Sequence, residues 1–322
     1  MNARKFFSKI GMAYFVMAAV YIGAQTLISL IVLAAAPQLL DISLVYYTLM
    51  LAPLYALAIP LCVFMLKKLP RVHLYKNKLG ARRWIKLFFI CVFIMYAGNI
   101  IGELVCMLIS YGTGLELANS VSETLTNETL LSSVIFSAVL APIFEELIFR
   151  KALIDRTAVF GDKTAMVLSA LIFGLFHGNL YQFFYAFGLG LVLSYIYIRT
   201  GKIRCCITMH MAINLFCGIL PAFFLQYAGV VYTLMYNFGD FFGYQLSVTS
   251  IIILAAMIVY AICLIVFFIL GIVKLIKSRK TIDLRKGEYS MPFWKTAGCL
   301  LGNAGMWLFF AACAGMFAIS IL

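Results

Sequence analysis

Apolar runs of about 20 residues or more recur along the whole chain, and short polar connections separate them. A helix of this length crosses the hydrocarbon core of a bilayer and satisfies its own backbone hydrogen bonds. Because 65% of the residues are hydrophobic and 11% are charged, a soluble globule of this chain would lack polar surface. The sequence therefore predicts an all-α, polytopic transmembrane helical bundle. About nine spans are expected, at Gly11 to Ala36, Ser43 to Leu66, Trp84 to Ser110, Leu130 to Leu153, Thr164 to Asn179, Leu180 to Ile198, Ile207 to Tyr227, Tyr244 to Ile276 and Thr296 to Leu322.

The positively charged residues all fall on one side of these predicted spans. The 25 lysines and arginines lie before the first span, at the inner ends of spans or in the connections on that side. Such residues are retained in the cytoplasm, so the amino terminus is predicted inside and the carboxyl terminus outside. The net charge of +13 therefore indicates topology and contact with anionic lipid headgroups, and no nucleic-acid partner is expected. The opposite connections carry acidic residues, namely Asp41, Glu116, Glu123, Glu128 and Asp240.

The chain divides into three parts by the position of its polar residues. Residues 1–110 are predicted to be leading transmembrane helices, and residues 244–322 are predicted to be trailing transmembrane helices. Residues 130–227, which hold spans four to seven, form the core that carries the intramembrane polar side chains. The high content of Ile, Lys, Phe and Tyr and the compact layout favour a multi-pass protein of a bacterial plasma membrane.

Two adjacent carboxylates stand inside the fourth predicted span. Glu145 and Glu146 are followed by Arg150, and such charges within a bilayer are costly enough to indicate a functional site. Residues four apart stack on one helix face, so Glu146 is expected to pair with Arg150 and remain ionised. Glu145 points about 100° away and is a candidate general base. Pro142, one turn earlier, loosens the helix and frees a carbonyl near the pair.

Two further spans carry a polar residue at the same spacing of four. Phe173 precedes His177 in the fifth span, and His210 precedes Asn214 in the seventh. A single intramembrane histidine more often packs helices together, but here the polar residues lie within seventy positions of one another. Two glutamates, two histidines and an asparagine can activate water and stabilise a tetrahedral oxyanion, as peptide-bond hydrolysis requires.

The order of these motifs resembles that of the CPBP intramembrane proteases, also called the Abi family. This group includes CAAX prenyl endopeptidases and proteins of bacteriocin processing or immunity. The resemblance covers about residues 130–227, roughly a third of the chain. It rests on Glu145-Glu146-x-x-x-Arg150, Phe173-x-x-x-His177 and His210-x-x-x-Asn214, in this order on successive spans.

The resemblance implies a glutamate-dependent endopeptidase that cuts membrane-associated peptides or proteins near the cytoplasmic side. By motif position, Glu145 with His177 is expected to activate the attacking water. His210 with Asn214 is expected to stabilise the oxyanion. The family is also labelled a metalloprotease, so a divalent metal such as zinc stays open as a cofactor.

The roles of the remaining residues follow in the same way. Glu146 and Arg150 are implied to orient the site. Glu145, His177 and His210 are possible zinc ligands, although their spacing does not distinguish zinc from a metal-free site.

Three other functions compete with the protease. The chain could be a catalytically silent scaffold or regulator of a sensor kinase or peptide transporter. It could be a transporter or ion pathway, because intramembrane carboxylates and histidines also relay protons. It could also be a structural protein whose polar residues only join helices.

The predicted spans leave one geometric conflict. Glu145 and His210 fall two or three turns from the inner ends of their spans, whereas His177 falls near the outer end of a short span. These residues meet only if the fifth helix starts before the membrane or tilts steeply.

Overall fold

The computed structural model describes residues 1–115, 117, 129–227 and 248–320, and within these ranges the regular structure is entirely helical. The acidic residues Glu116, Glu123, Glu128 and Asp240, the first residues of the predicted eighth span and the last two of the ninth lie outside the described residues. We number the helices as follows: α1 Ala3–Ala35, α2 Ser43–Leu66, α3 Ala81–Thr113, α4 Leu130–Phe160, α5 Asp162–Phe176, α6 Leu180–Thr200, α7 Ile203–Gln226, α8 Val248–Ser278, α9 Phe293–Leu301 and α10 Ala304–Ile319.

Seven of these helices are long and apolar enough to cross a membrane, and an eighth span results if α9 and α10 count as one. The expectation of about nine spans differs in two places. The predicted fifth span forms α5, a helix of 15 residues and about 22 Å that is shorter than a bilayer core. The predicted ninth span is bent by 73° between α9 and α10, because Asn303 leaves the helical conformation and caps a new helix through the N–H of Met306.

Three helices change from α to π geometry directly before a proline. In each, the last N–H before the proline donates to the carbonyl five residues earlier, as in a π-helix. Proline has no N–H and its ring clashes with the preceding turn, so it opens that turn and ends the ladder. The three bonds are Ile59 to Leu54, Ala141 to Phe136 and Leu220 to Leu215, and the prolines are Pro60, Pro142 and Pro221.

Helices α4 and α5 form a tight hairpin that turns at Gly161. This glycine has φ of +103°, a region that L side chains rarely adopt, so the chain reverses within a single residue. Buried serines join the hairpin to α6. Ser169 of α5 donates to the carbonyl of Phe149 in α4 over 2.8 Å, and Ser194 of α6 donates to Ser169 over 3.1 Å.

The last helix packs along the first in the same direction. The backbone of Gly305 meets that of Ser8, so closely that a β-carbon at position 305 would lie 1.9 Å from the Ser8 carbonyl oxygen. Further along, the rings of Phe309 and Tyr14 are 6.1 Å apart. Because of this parallel packing, α10 reaches the end of α5, where Met316 lies against Gly178.

Two buried carboxylates hold the basic connecting segments against one end of the bundle. Asp155 accepts hydrogen bonds from Arg71 over 2.9 Å and from the Tyr197 hydroxyl over 2.7 Å. Asp162, the first residue of α5, accepts from the Arg285 side chain over 3.1 Å. The connections around Arg71 and Arg285 are therefore tied to the turn end of the α4–α5 hairpin.

Candidate active site

A cavity of about 550 Å³ lies between the helices, and candidate residues from three helices reach its wall. Glu145 of α4, His177 at the end of α5, and His210 and Asn214 of α7 all line it. The remaining wall is largely apolar and aromatic, with residues such as Met17, Tyr47, Tyr55, Phe136, Tyr185 and Met316. The structure thus brings these four predicted side chains to one space.

The α4–α5 hairpin explains how His177 reaches the level of Glu145. Glu145 is sixteen residues before Gly161, and His177 is sixteen residues after it. Two antiparallel arms of equal length bring their ends to similar heights. The expected depth conflict arose because the fourth span was ended at Leu153, whereas α4 continues to Phe160 and Glu145 lies near its middle.

The two adjacent glutamates occupy different environments. The side chain of Glu145 is 25% exposed, and its Oε2 lies 3.8 Å from His210 Nε2. The side chain of Glu146 is fully buried, and its Oε1 accepts a hydrogen bond from His210 Nδ1 over 2.9 Å. The same Oε1 lies 3.2 Å from Arg150 Nη1, which is the ion pair expected from the i, i+4 spacing. His210 therefore lies between both carboxylates.

Arg150 is fully buried beside an aromatic ring. Its guanidinium carbon lies 4.1 Å from the centre of the Phe173 ring, a cation–π geometry. Its nitrogens form no hydrogen bond within the described part of the chain, so Arg150 is stabilised by the Phe173 ring and by the charge of Glu146. Phe173 also contacts both histidines, with ring centres 4.7 Å from His177 and 5.9 Å from His210. The Phe173 ring thus contacts three polar residues, Arg150, His177 and His210.

The hydrogen bond of His177 fixes its tautomer. Its Nδ1 lies 2.8 Å from the carbonyl oxygen of Phe173. A carbonyl only accepts, so Nδ1 carries the proton, and neutral His177 keeps a lone pair on Nε2. The ring can therefore accept a hydrogen bond at Nε2 while Nδ1 holds it in place.

Asn214 of α7 forms a hydrogen bond with the backbone of α4. Its amide nitrogen donates to the carbonyl oxygen of Ser137 over 2.9 Å, and the second amide hydrogen is left for another acceptor. Asn214 is also the first residue of the π segment Asn214–Ile219 in α7. Sequence reasoning placed Asn214 at the site but missed Ser137, whose contribution is a backbone atom.

Other polar residues of the cavity were not predicted. Asn179 caps α6 by accepting from the N–H of Gln182 over 2.8 Å, and both line the cavity. The asparagine directly before an apolar run is the sequence signal that could have found this cap. Tyr55 of α2 also lines the cavity and stacks on Phe144 of α4, with ring centres 4.2 Å apart.

The zinc set considered from the sequence is not assembled in this conformation. Among the residues that the structure describes, no three His, Cys, Asp or Glu side chains are placed to share one metal ion. Glu145 and His210 are near neighbours, but His210 Nδ1 is already bonded to Glu146. A shared metal would need His177 or another ligand to move.

Comparison with known proteins adds independent information about this region. Residues 127–216 match the family model described as "Type II CAAX prenyl endopeptidase Rce1-like". The chain is also 31% identical over 114 residues to "Putative membrane peptidase YdiL" of Bacillus subtilis (strain 168). The matched core is thus similar to the CPBP (CAAX protease) family. No solved structure matches the chain.

The CPBP match has clear limits along the chain. The YdiL alignment covers 34% of this chain and 46% of the relative, so the chain spans about half the length of the curated relative it matches. The family model includes every motif residue from Glu145 to Asn214. Helices α1 to α3 and α8 to α10 lie outside it. The CPBP core therefore supplies the polar residues, and Met17, Tyr55 and Met316 of the cavity wall come from flanking helices.

Proposed function

We propose that this chain is an intramembrane endopeptidase that hydrolyses peptide bonds of membrane-associated peptides or proteins. The observation that carries the proposal is the shared cavity of Glu145, His177, His210 and Asn214, with Glu145 as its partly exposed carboxylate. The match to the CAAX prenyl endopeptidase family model and the resemblance to "Putative membrane peptidase YdiL" support the same activity.

Glu145 is the proposed general base. It accepts a proton from a water molecule, while His177 holds that water through its Nε2 lone pair. The water oxygen then forms a bond to the carbonyl carbon of the scissile peptide, and the carbonyl oxygen becomes an oxyanion. Glu145 next passes the proton to the leaving nitrogen as the carbon–nitrogen bond breaks. The products are a free carboxyl group and a free amine.

His210 and Asn214 are the proposed oxyanion donors. Asn214 offers its second amide hydrogen, since the first is held by Ser137. His210 already donates from Nδ1 to Glu146, so it donates to the oxyanion only when Nε2 is also protonated. Donors fixed before the reaction stabilise developing charge without reorganisation.

Glu146 and Arg150 are the proposed positioning pair. The charges of Glu146 and Arg150 cancel within the pair. An electroneutral cluster lowers the cost of burying charge in the bundle. The pair thereby holds the His210 ring between the two glutamates.

The location and organisation of the protein form part of the same proposal. We place it in a bacterial plasma membrane with the amino terminus in the cytoplasm, supported by the distribution of its 25 lysines and arginines. We also keep the division into leading helices at 1–110, a catalytic core at 130–227 and trailing helices at 244–322. Two substrate classes fit this proposal, a prenylated CAAX tail and a bacterial peptide precursor, and both are membrane-associated.

The decisive experiment is cleavage of a membrane-tethered peptide library by purified protein in nanodiscs. Wild type and Glu145→Ala are compared with and without a strong chelator. Cleavage that disappears in Glu145→Ala supports the protease, and its chelator response separates a metal-dependent from a glutamate enzyme. A well-folded wild type that cleaves nothing would favour a scaffold or regulator of a membrane partner.

A further inference from the structure

The backbone of α4 is interrupted beside Glu145 by the π turn that precedes Pro142. The N–H of Ala141 donates to the carbonyl of Phe136, five residues earlier. The next rung of this ladder would join the N–H of residue 142 to the carbonyl of Ser137. Residue 142 is a buried proline without an N–H, so it withholds this donor from Ser137.

The Ser137 carbonyl, which the proline leaves without a backbone donor, accepts a hydrogen bond from a side chain of another helix. Asn214 Nδ2 of α7 donates to the Ser137 carbonyl oxygen over 2.9 Å. Ser137 is half-buried, and a carbonyl partly withdrawn from water is stabilised by finding a donor. The bond therefore ties the Asn214 amide to one fixed point of α4.

The same arrangement occurs a second time in the chain. In α7 the N–H of Leu220 donates to Leu215 in π geometry, and Pro221 then withholds a donor from the carbonyl of Phe216. That carbonyl accepts the hydroxyl of Tyr260 from α8 over 3.0 Å. A proline after a π turn thus supplies a backbone acceptor to a neighbouring helix at two places.

We propose that Pro142 is a positioning residue for the oxyanion donor Asn214. By leaving the Ser137 carbonyl open, it fixes one amide hydrogen of Asn214 and leaves the other for the cavity, where the substrate oxyanion forms. The catalytic part of this inference rests on the proposed endopeptidase function. The structural part, a coupling between Pro142 and Asn214 through Ser137, stands independently of it.

Replacing the proline gives the carbonyl a backbone partner in either helical geometry. If α4 stays π-helical, the N–H of Pro142→Ala donates to Ser137. If the turn relaxes to an α-helix, the N–H of Ala141 donates to Ser137 instead. Asn214 then competes with a backbone donor for the same oxygen and loses its fixed position.

The kinetic test compares Pro142→Ala, Asn214→Ala and the double variant. We expect Pro142→Ala to lower kcat about tenfold or more with little change in KM, since the donor acts in the transition state. In the Asn214→Ala background, Pro142→Ala should cost little further. The matched control is Pro60→Ala, which restores an N–H after a π turn on α2, a different helix from Ser137 and Asn214, and should keep kcat within about twofold.

The stability test needs no activity. Asn214→Ala should lower Tm by a few degrees in the native background, and by less than half as much when Pro142→Ala is present. An equal loss of Tm in both backgrounds would overturn the coupling whether or not the protein cleaves peptides. Independent, multiplying losses of kcat would likewise overturn it. If wild type shows no cleavage while the Tm effects are coupled, the endopeptidase assignment fails and the Pro142–Asn214 link stands.

Discussion

His210 and Glu146 are 64 residues apart in sequence, yet His210 Nδ1 lies 2.9 Å from Glu146 Oε1 inside the bundle. The same carboxylate oxygen also faces Arg150. One buried carboxylate therefore contacts both a histidine and an arginine, and its loss has consequences for both folding and the proposed chemistry.

Glu146→Ala is expected to destabilise the protein strongly. Removing one partner of a buried ion pair leaves the other charge uncompensated and costs about 3–5 kcal/mol. Adding Arg150→Met should recover part of this loss, because the double variant buries no isolated charge. Thermal unfolding in detergent measures both. A single variant that is as stable as the double variant would contradict the role of the pair.

Glu145→Gln is expected to remove cleavage with little effect on stability. The partly exposed side chain has no cation of its own helix to neutralise, so the amide is tolerated, whereas loss of a general base lowers rates about 10²- to 10⁴-fold. The matched control is Glu103→Gln on α3, an exposed glutamate outside the cavity wall. Peptide cleavage and Tm are measured together. Activity retained in Glu145→Gln would rule out Glu145 as the base.

Phe173→Leu is expected to lower both stability and kcat. The substitution removes the ring beneath Arg150, a contact worth about 0.5–2 kcal/mol, and the ring edges that support His177 and His210. Phe187→Leu on α6, whose ring stacks on Phe183, is the control for loss of an aromatic ring. Equal effects of the two substitutions on kcat would show that the contacts of Phe173 with the polar residues make no specific contribution to kcat.

Gly305→Ala is expected to lower Tm by disturbing the contact of α10 with α1. The added methyl would lie 1.9 Å from the Ser8 carbonyl, so the helices must separate. Gly315→Ala in the same helix is the control, because its added methyl would meet nothing within 4 Å. Unfolding midpoints of the two variants are compared with wild type. An unchanged Tm in Gly305→Ala would show that the two helices move apart at little cost.

The sequence predicted the local relationships of the site better than its tertiary ones. The Glu146–Arg150 pair follows from helical spacing alone, and Pro142 correctly indicated a freed carbonyl on α4. The partner of that carbonyl, Asn214, could not be predicted, because the pairing depends on how α7 packs against α4. The position of Met316 in the cavity wall depends in the same way on the packing of α10.

The span count shows a second limit of sequence reasoning. Hydropathy marks apolar length but not where a helix stops, so α4 was ended seven residues early at Leu153. The charged residues Asp155 and Arg156 lie just beyond that predicted end, and both are buried by partners from distant segments. Asp155 holds Arg71 and Tyr197, and such contacts cannot be inferred from a local pattern.

The equal arms of the α4–α5 hairpin make the chain sensitive to length as well as to composition. One residue inserted between Gly161 and His177 would turn the imidazole by about 100° and raise it by about 1.5 Å, while Glu145 stayed in place. An insertion beyond Thr200, where α6 has ended, leaves both arms unchanged. The lengths of the two arms therefore fix the heights of Glu145 and His177 relative to each other. A substitution in either arm keeps these heights, whereas a shift in register changes them.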